Sequence, residues 1–222
     1  MTHSAIAYNH SPISKIVSSK SQDPSVLADI YEPDINIAIW QHQLAANVVE
    51  EISVIQQFSR LNLVLAVTPN NTIQQLVEYN HEFQQTPNLC HHLSTIVEMF
   101  CTLFDLPRAG LRLNLLDRAM CPKFHVDHIP CRLVSTFSGK ATEWLEHSKV
   151  DRTKLGAGSF GLSDQQSGIY QQTSDIQQLN CGDVALLKGD GWQGNEGARL
   201  VHRSPTVGKN EKRLLLTLDF ID

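Results

Sequence analysis

His125 and Asp127 stand two residues apart in the run Cys121-Pro-Lys-Phe-His-Val-Asp-His-Ile-Pro-Cys131. On an extended strand, side chains two apart leave the same face. An imidazole nitrogen and a carboxylate oxygen then make two corners of a metal site. Two histidines and one carboxylate with open positions are the facial ligand set of non-haem Fe(II) enzymes. The third corner must come from a distant strand, and His202, in Leu200-Val-His-Arg-Ser-Pro205, is the candidate. Arg213 follows, opening Arg-Leu-Leu-Leu-Thr-Leu-Asp-Phe220, with Pro205, Gly208 and Asn210 between as a hairpin connection. Arg213 shares a face with Leu215, Thr217 and Asp219. If that face points into a barrel, the guanidinium there needs an anion, and its planar fork suits a carboxylate bidentately.

Two further residues are candidates for contacting an anionic ligand: Arg132, just past Asp127, and Asn114, on the strand before the motif. Each candidate also has an ordinary reading. His125 and Asp127 can be a hydrogen-bonded strand pair, and His202 can bond a backbone carbonyl. Arg213 can pair with Asp219 or Glu143, Arg132 can be an ion-paired strand residue, and Asn114 can make a strand hydrogen bond. A competing metal set is Cys121, His125, His128 and Cys131, which have the ligand types of a tetrahedral zinc site. Zinc also competes with iron for His125, Asp127 and His202, because its intrinsic affinity for such ligands is higher. Arg203, next to His202, is expected on the opposite face. Trp144 and Trp192 read as core or pocket wall, Cys121 as a small buried side chain, and His91-His92 as helix surface. No glycine-rich phosphate loop and no serine nucleophile elbow occurs.

These residues need strands to position them. Residues 1–33, rich in Ser, His, Pro and Asp without a sustained period, read as a flexible arm. Residues 34–222 read as a single domain, mainly helical over 34–109 and a β-barrel carrying the site over 110–222. Ile37, Ile39, Trp40, Leu44, Val48, Ile52, Ile55 and Phe58 recur at helical spacing. Leu61–Val67 reads as a strand, and helices are expected from Thr72 to Phe83 and from Leu89 to Leu106. Short strands follow over 111–116, 124–127, 132–137, 141–145, 183–187, 199–202 and 213–220. Residues 151–175 read as a long loop, either a lid or an insert. Helices first and many strands later point to an α+β chain with a C-terminal barrel or sandwich.

The order His125-x-Asp127, His202, Arg213 resembles the Fe(II)/2-oxoglutarate-dependent oxygenases. That resemblance implies a double-stranded β-helix, a jelly-roll or cupin-like barrel with the N-terminal helices packed on it. It also implies Fe(II) on His125, Asp127 and His202, and 2-oxoglutarate with its far carboxylate on Arg213. Cys121-Pro-Lys-Phe-His-Val-Asp127, Arg132–Trp144, Gly182-Asp-Val-Ala-Leu-Leu-Lys-Gly189, Val201–Pro205 and Arg213–Asp219 resemble a bacterial family known as domain of unknown function 1826. That family implies a link to metal supply, through genes beside zinc-regulated metallochaperone GTPases. A non-catalytic zinc-binding barrel in metal homeostasis is therefore the alternative to an oxygenase.

Composition narrows the remaining classes. The chain has 222 residues, enough for one domain with a sizeable core. A formal net charge of −5 argues against nucleic-acid binding, which needs a basic footprint. No apolar run reaches the length of a membrane span. Five irregularly spaced cysteines and no secretory signal point to a reducing, cytoplasmic setting. The substrate, a small molecule or a protein side chain, has no signature in the sequence.

Overall fold

The computed structural model describes residues 15–221. In chain order β1 (Val17–Ser21), β2 (Ile35–Trp40), α1 (Ala46–Gln56), β3 (Leu61–Val67), α2 (Thr72–Tyr79) and α3 (Pro87–Leu103) come first. Then follow β4 (Ala109–Leu116), β5 (Cys131–Ser138), β6 (Glu143–Leu145), α4 (Asp164–Ser167), β7 (Ile176–Gln178), β8 (Val184–Lys188), β9 (Val201–Arg203) and β10 (Arg213–Asp219). Seven strands form one sheet in the order β1-β2-β8-β5-β10-β4-β3, and β7-β6-β9 form a second, smaller sheet. β1 and β2 run parallel, and the other pairs run antiparallel.

Alternation along the central strands assigns the two faces of the large sheet. Leu214, Leu216 and Leu218 of β10, Leu111 and Leu113 of β4, and Leu133 of β5 pack with Ile52 and Ile55 of α1, Leu76 of α2, and Leu93, Val97 and Phe100 of α3. The opposite face puts Val134, Ala185 and Leu187 against Trp144 of β6 and Leu200 beside β9. Helices thus cover one side and the small sheet the other. Arg213, Leu215 and Thr217 fall on the side facing the small sheet. Among the described residues no helix is long and apolar enough to cross a membrane.

Three expectations need correction. The arm expected over 1–33 gives way, within the described residues, to β1 and a 3-10 helix at Pro24–Tyr31 capped by Asp23. Val26, Leu27 and Ile30 of that helix are buried, a short apolar triplet too brief to show a period. Ile35–Trp40, expected as the start of a helix, is β2, between β1 and β8. Ala38 joins the helix-side core while Ile37 and Ile39 join the core between the sheets. Burial on both faces erases the alternation that marks a strand. The division into a helical part and a barrel part also fails, because β1, β2 and β3 belong to the same sheet as β4, β5, β8 and β10.

His92 is not surface, as expected, but packs edge-on against Phe137 of β5, with centroids 5.6 Å apart. It stacks on His42 at 5.0 Å, and both His92 Nε2 and His42 Nδ1 are buried without a hydrogen-bond partner among the described residues. Burial pushes the His92 pKa down to about 4 and lowers that of His42 as well. A histidine held neutral in the fold stabilises it fully above its ordinary value and loses that contribution as pH falls towards the folded value. Stability should therefore drop between about pH 6.5 and 4. The His92 share is of order 1–2 kcal/mol after discounting its solvated part. Thermal melts of His92→Leu across this range should show a shallower decline than the wild type. Parallel declines would remove His92 as the cause.

Candidate metal centre

β9 places His202 between two neighbours. Trp144 of β6 lies across from it on one side. On the other, the His202 and His125 backbones exchange two hydrogen bonds of 3.0 Å. That single bridge is all the strand that forms where one was expected over 124–127. Beyond it the chain turns onto Gly189, where a Cβ would meet the Ile129 carbonyl oxygen at 2.0 Å and the Asp127 carbonyl oxygen at 2.8 Å. Only glycine admits that approach. The Asp190 amide donates to the Asp127 carbonyl at 2.9 Å. His125 and Asp127 are thus held between two backbone anchors, one on β9 and one just after β8.

Side chains of His125, Asp127 and His202 bring one ligand atom each to within 4.8 Å of one another. Asp127 Oδ1 lies 3.7 Å from His125 Nε2, and Asp127 Oδ2 lies 3.5 Å from His202 Nε2. Both separations are long for hydrogen bonds, so the three side chains face a shared gap rather than one another. His125 Nδ1 sits 3.0 Å from the Lys123 carbonyl. Assigned as the donor there, Nδ1 leaves the Nε2 lone pair free towards the gap. Burial pushes the His202 pKa down, with His125 and Arg132 adding to the effect and the Asp127 charge opposing it. A neutral imidazole is the form that ligates a metal. Two imidazoles and a carboxylate fit a divalent transition metal.

Arg132 was a candidate for contacting an anionic ligand. Its guanidinium is instead occupied by protein carboxylates. Nη1 donates to Asp127 Oδ2 at 3.0 Å, and Nε and Nη2 donate to Asp219 at 2.7 and 3.1 Å. Asp219 is paired by Arg112 too. Arg132 therefore orients Asp127, anchored in turn by Asp219, its direct partner across β5 and β10. Asp219 escaped sequence reasoning except as a partner for Arg213. Its position on the Arg213 face was the available signal.

Arg213 is 1% exposed. Its Nη2 donates to Thr136 Oγ1 at 3.1 Å and Thr142 Oγ1 at 2.8 Å, and its Nε is buried without a partner among the described residues. Both anticipated ion-pair partners are taken: Glu143 accepts from Arg203, and Asp219 from Arg112 and Arg132. Burial lowers the Arg213 pKa to about 10, partly offset by the Glu143 charge. Arg213 shares a cavity of about 250 Å³ with His125, His202, Asn114, Thr142 and Leu215. Asn114 is buried and sits beside Leu215 in the β4–β10 ladder.

Other expectations fare differently. The alternative zinc set does not assemble. Cys131 is buried in the helix-side core, and His128 is exposed and paired with Asp190. Arg203, expected away from the pocket, reaches its edge while pairing with Glu143 and Asp164. Cys121 is exposed at the pocket wall rather than buried. Segment 151–175 is a series of short helical turns around α4, and none of it lines the cavity. It packs Ile169 and Tyr170 against Phe124, Leu145 and Val201, the outer side of the small sheet.

The matching family model spans residues 21–219. The chain belongs to the family described as Protein of unknown function (DUF1826). No curated protein matches this DUF1826 chain. Solved structures do. A dioxygenase for auxin oxidation from rice matches over 93% of this chain and 83% of its own, with 10% identity and a TM-score of 0.50. The Arabidopsis thaliana dioxygenase for auxin oxidation 1, in a 2-oxoglutarate complex, covers 93% and 92% at 6% identity and a TM-score of 0.45. A Pseudomonas putida prolyl-4-hydroxylase covers 88% and 96% at 12% identity and a TM-score of 0.41. At this identity the likeness to the rice enzyme is one of fold, the two-sheet jelly roll.

Proposed function

We propose that this DUF1826 protein is an Fe(II)/2-oxoglutarate-dependent oxygenase built on a double-stranded β-helix. His125, Asp127 and His202 would hold the iron. The observation that carries the reading is Arg213: a buried guanidinium without a carboxylate partner among the described residues, lining the same cavity as His125 and His202, two of the three converged side chains. Burying an unpaired charge is costly, and a small dicarboxylate is the ligand whose far end would compensate it. Iron and 2-oxoglutarate together would supply activation of dioxygen for attack on a substrate C–H bond.

The chain's own residues supply binding and orientation. Arg132 holds Asp127 pointed at the gap. Thr136 and Thr142 fix the Arg213 fork from one side, leaving its remaining donors for the carboxylate. Leu215 and Val134 exclude water beside them. Past Asn114 and Met120 the cavity continues into a groove lined by Arg60, Arg118 and Lys212, with Asp117 as its one acid. That balance, in a chain of net charge −5, favours a primary substrate carrying negative charge.

The test is an anaerobic titration of purified apo-protein with Fe(II), then 2-oxoglutarate, followed by visible absorption. The expected result is the weak iron-to-ketoacid charge-transfer band, appearing only when both are present. Iron binding without the band, or tight binding of zinc alone, would sink the oxygenase reading.

A further inference from the structure

We infer that Arg152, Arg199 and His147 form a binding site for a small oxyanion of the phosphate or sulfate type, on the outer side of the small sheet. Nothing in this inference depends on the oxygenase reading. Leu145 and Val201 pair at the end of the β6–β9 ladder, and His147 and Arg199 each lie two residues beyond that pair. Arg152, at the start of the next short helical turn, bridges them. Its Nη2 donates to the Arg199 carbonyl at 2.7 Å and to His147 Nδ1 at 3.1 Å. His147 accepts at Nδ1, so its ring is neutral and its remaining N–H is on Nε2.

The cluster holds two guanidinium groups and no carboxylate. Among the described residues neither Arg152 nor Arg199 makes a salt bridge, and the Nε of each is buried without a hydrogen-bond partner. Arg203 supplies the comparison on the same side of the same sheet. It is matched by two carboxylates, Glu143 at 2.7 Å and Asp164 at 2.8 Å. The fold neutralises one half-buried arginine there twice over and leaves the other two without a carboxylate among the described residues, Arg152 bonded to the Arg199 backbone. Burial and the Arg199 charge both lower the Arg152 pKa, and burial and the Arg152 charge lower that of His147. Like charges half-buried side by side are unfavourable unless an anion joins them. A tetrahedral oxyanion could accept from the free donors of both forks and from His147 Nε2–H. That ligand would tie the segment leaving β6 to the segment entering β9, the strand that carries His202.

The experiment uses inorganic phosphate as the probe. Apo-protein is titrated at constant ionic strength, with sodium chloride as the control, and followed by phosphorus NMR linewidth and thermal melting. Saturable broadening and a rise in Tm with phosphate, absent with chloride, are expected. Arg199→Gln should weaken phosphate by about tenfold or more, the loss of one charge-assisted contact. It should leave Fe(II) binding at the His–Asp–His centre unchanged. Arg199→Lys, which keeps the charge and loses the fork, should fall between. Wild-type protein with no saturable phosphate effect would overturn the inference. So would phosphate binding that survives Arg199→Gln and disappears in Arg213→Met, since that would place the anion in the metal-centre cavity.

Discussion

Fe(II) affinity should fall by more than about 100-fold in His202→Ala, beyond the 10- to 100-fold that loss of an outer partner costs a metal site. His202 is held neutral by burial and contributes one of three converging ligand atoms. With it gone, His125 and Asp127 form an incomplete, partly exposed set. The substitution also opens a space at a buried position, so reduced folding could imitate reduced binding. Asp127→Asn separates the two effects. It keeps the side-chain shape, and Arg132 retains both hydrogen bonds to Asp219. Asp127→Asn should therefore melt near the wild type and still lose most of its iron. Anaerobic competition against a chromogenic chelator gives the affinities, and circular dichroism gives the melts. Wild-type affinity in both variants would remove this centre as the metal site.

The same residues show how far the sequence could be read. His125, Asp127, His202 and Arg213 could be proposed from chemistry because each type is costly to bury alone, and because alternation on β10 separates Arg213 from Leu214 and Leu216. The strand expected at 124–127 was out of reach for a different reason. His125 and Asp127 do face His202 together, but through one bridge and a turn onto Gly189, and a contact with residue 189 has no local signature. The choice between the two readings of Arg132, anion contact or ion-paired strand residue, was beyond the sequence because its partner Asp219 lies 87 residues away, and register across β5 and β10 decides that pairing. β2 was misread because a strand buried on both faces loses its period. The competing Cys–His set had plausible ligand types. Cys131 nevertheless points to the helix side of β5, a consequence of strand parity that four ligand letters do not contain.

Arg213→Met should cost ligand binding far more than it costs stability. In the apo-protein the guanidinium is buried, and its pKa is lowered to about 10 chiefly by loss of solvation. At neutral pH it stays charged, and the lowered pKa means the fold pays of order 3 kcal/mol to keep it so. Methionine fills similar space without that charge and gives up only the bonds to Thr136 and Thr142. Their net worth is about 1.5–3 kcal/mol each when the donor is charged, or about 3–6 kcal/mol together, so the balance runs from near neutral to about 3 kcal/mol destabilising. The apo Tm should thus hold or fall modestly. Binding of 2-oxoglutarate should fall by about 100-fold or more, because a carboxylate held by two charge-assisted hydrogen bonds loses some 3–6 kcal/mol when both donors go. Ligand-induced stabilisation gives an independent readout. At 100 times its Kd, 2-oxoglutarate with Fe(II) should stabilise the wild type by about 2.7 kcal/mol and the variant by almost nothing. A purely structural arginine behaves otherwise. Its replacement would leave 2-oxoglutarate affinity intact whatever the change in apo Tm, and that result would return Arg213 to the core and take the co-substrate with it.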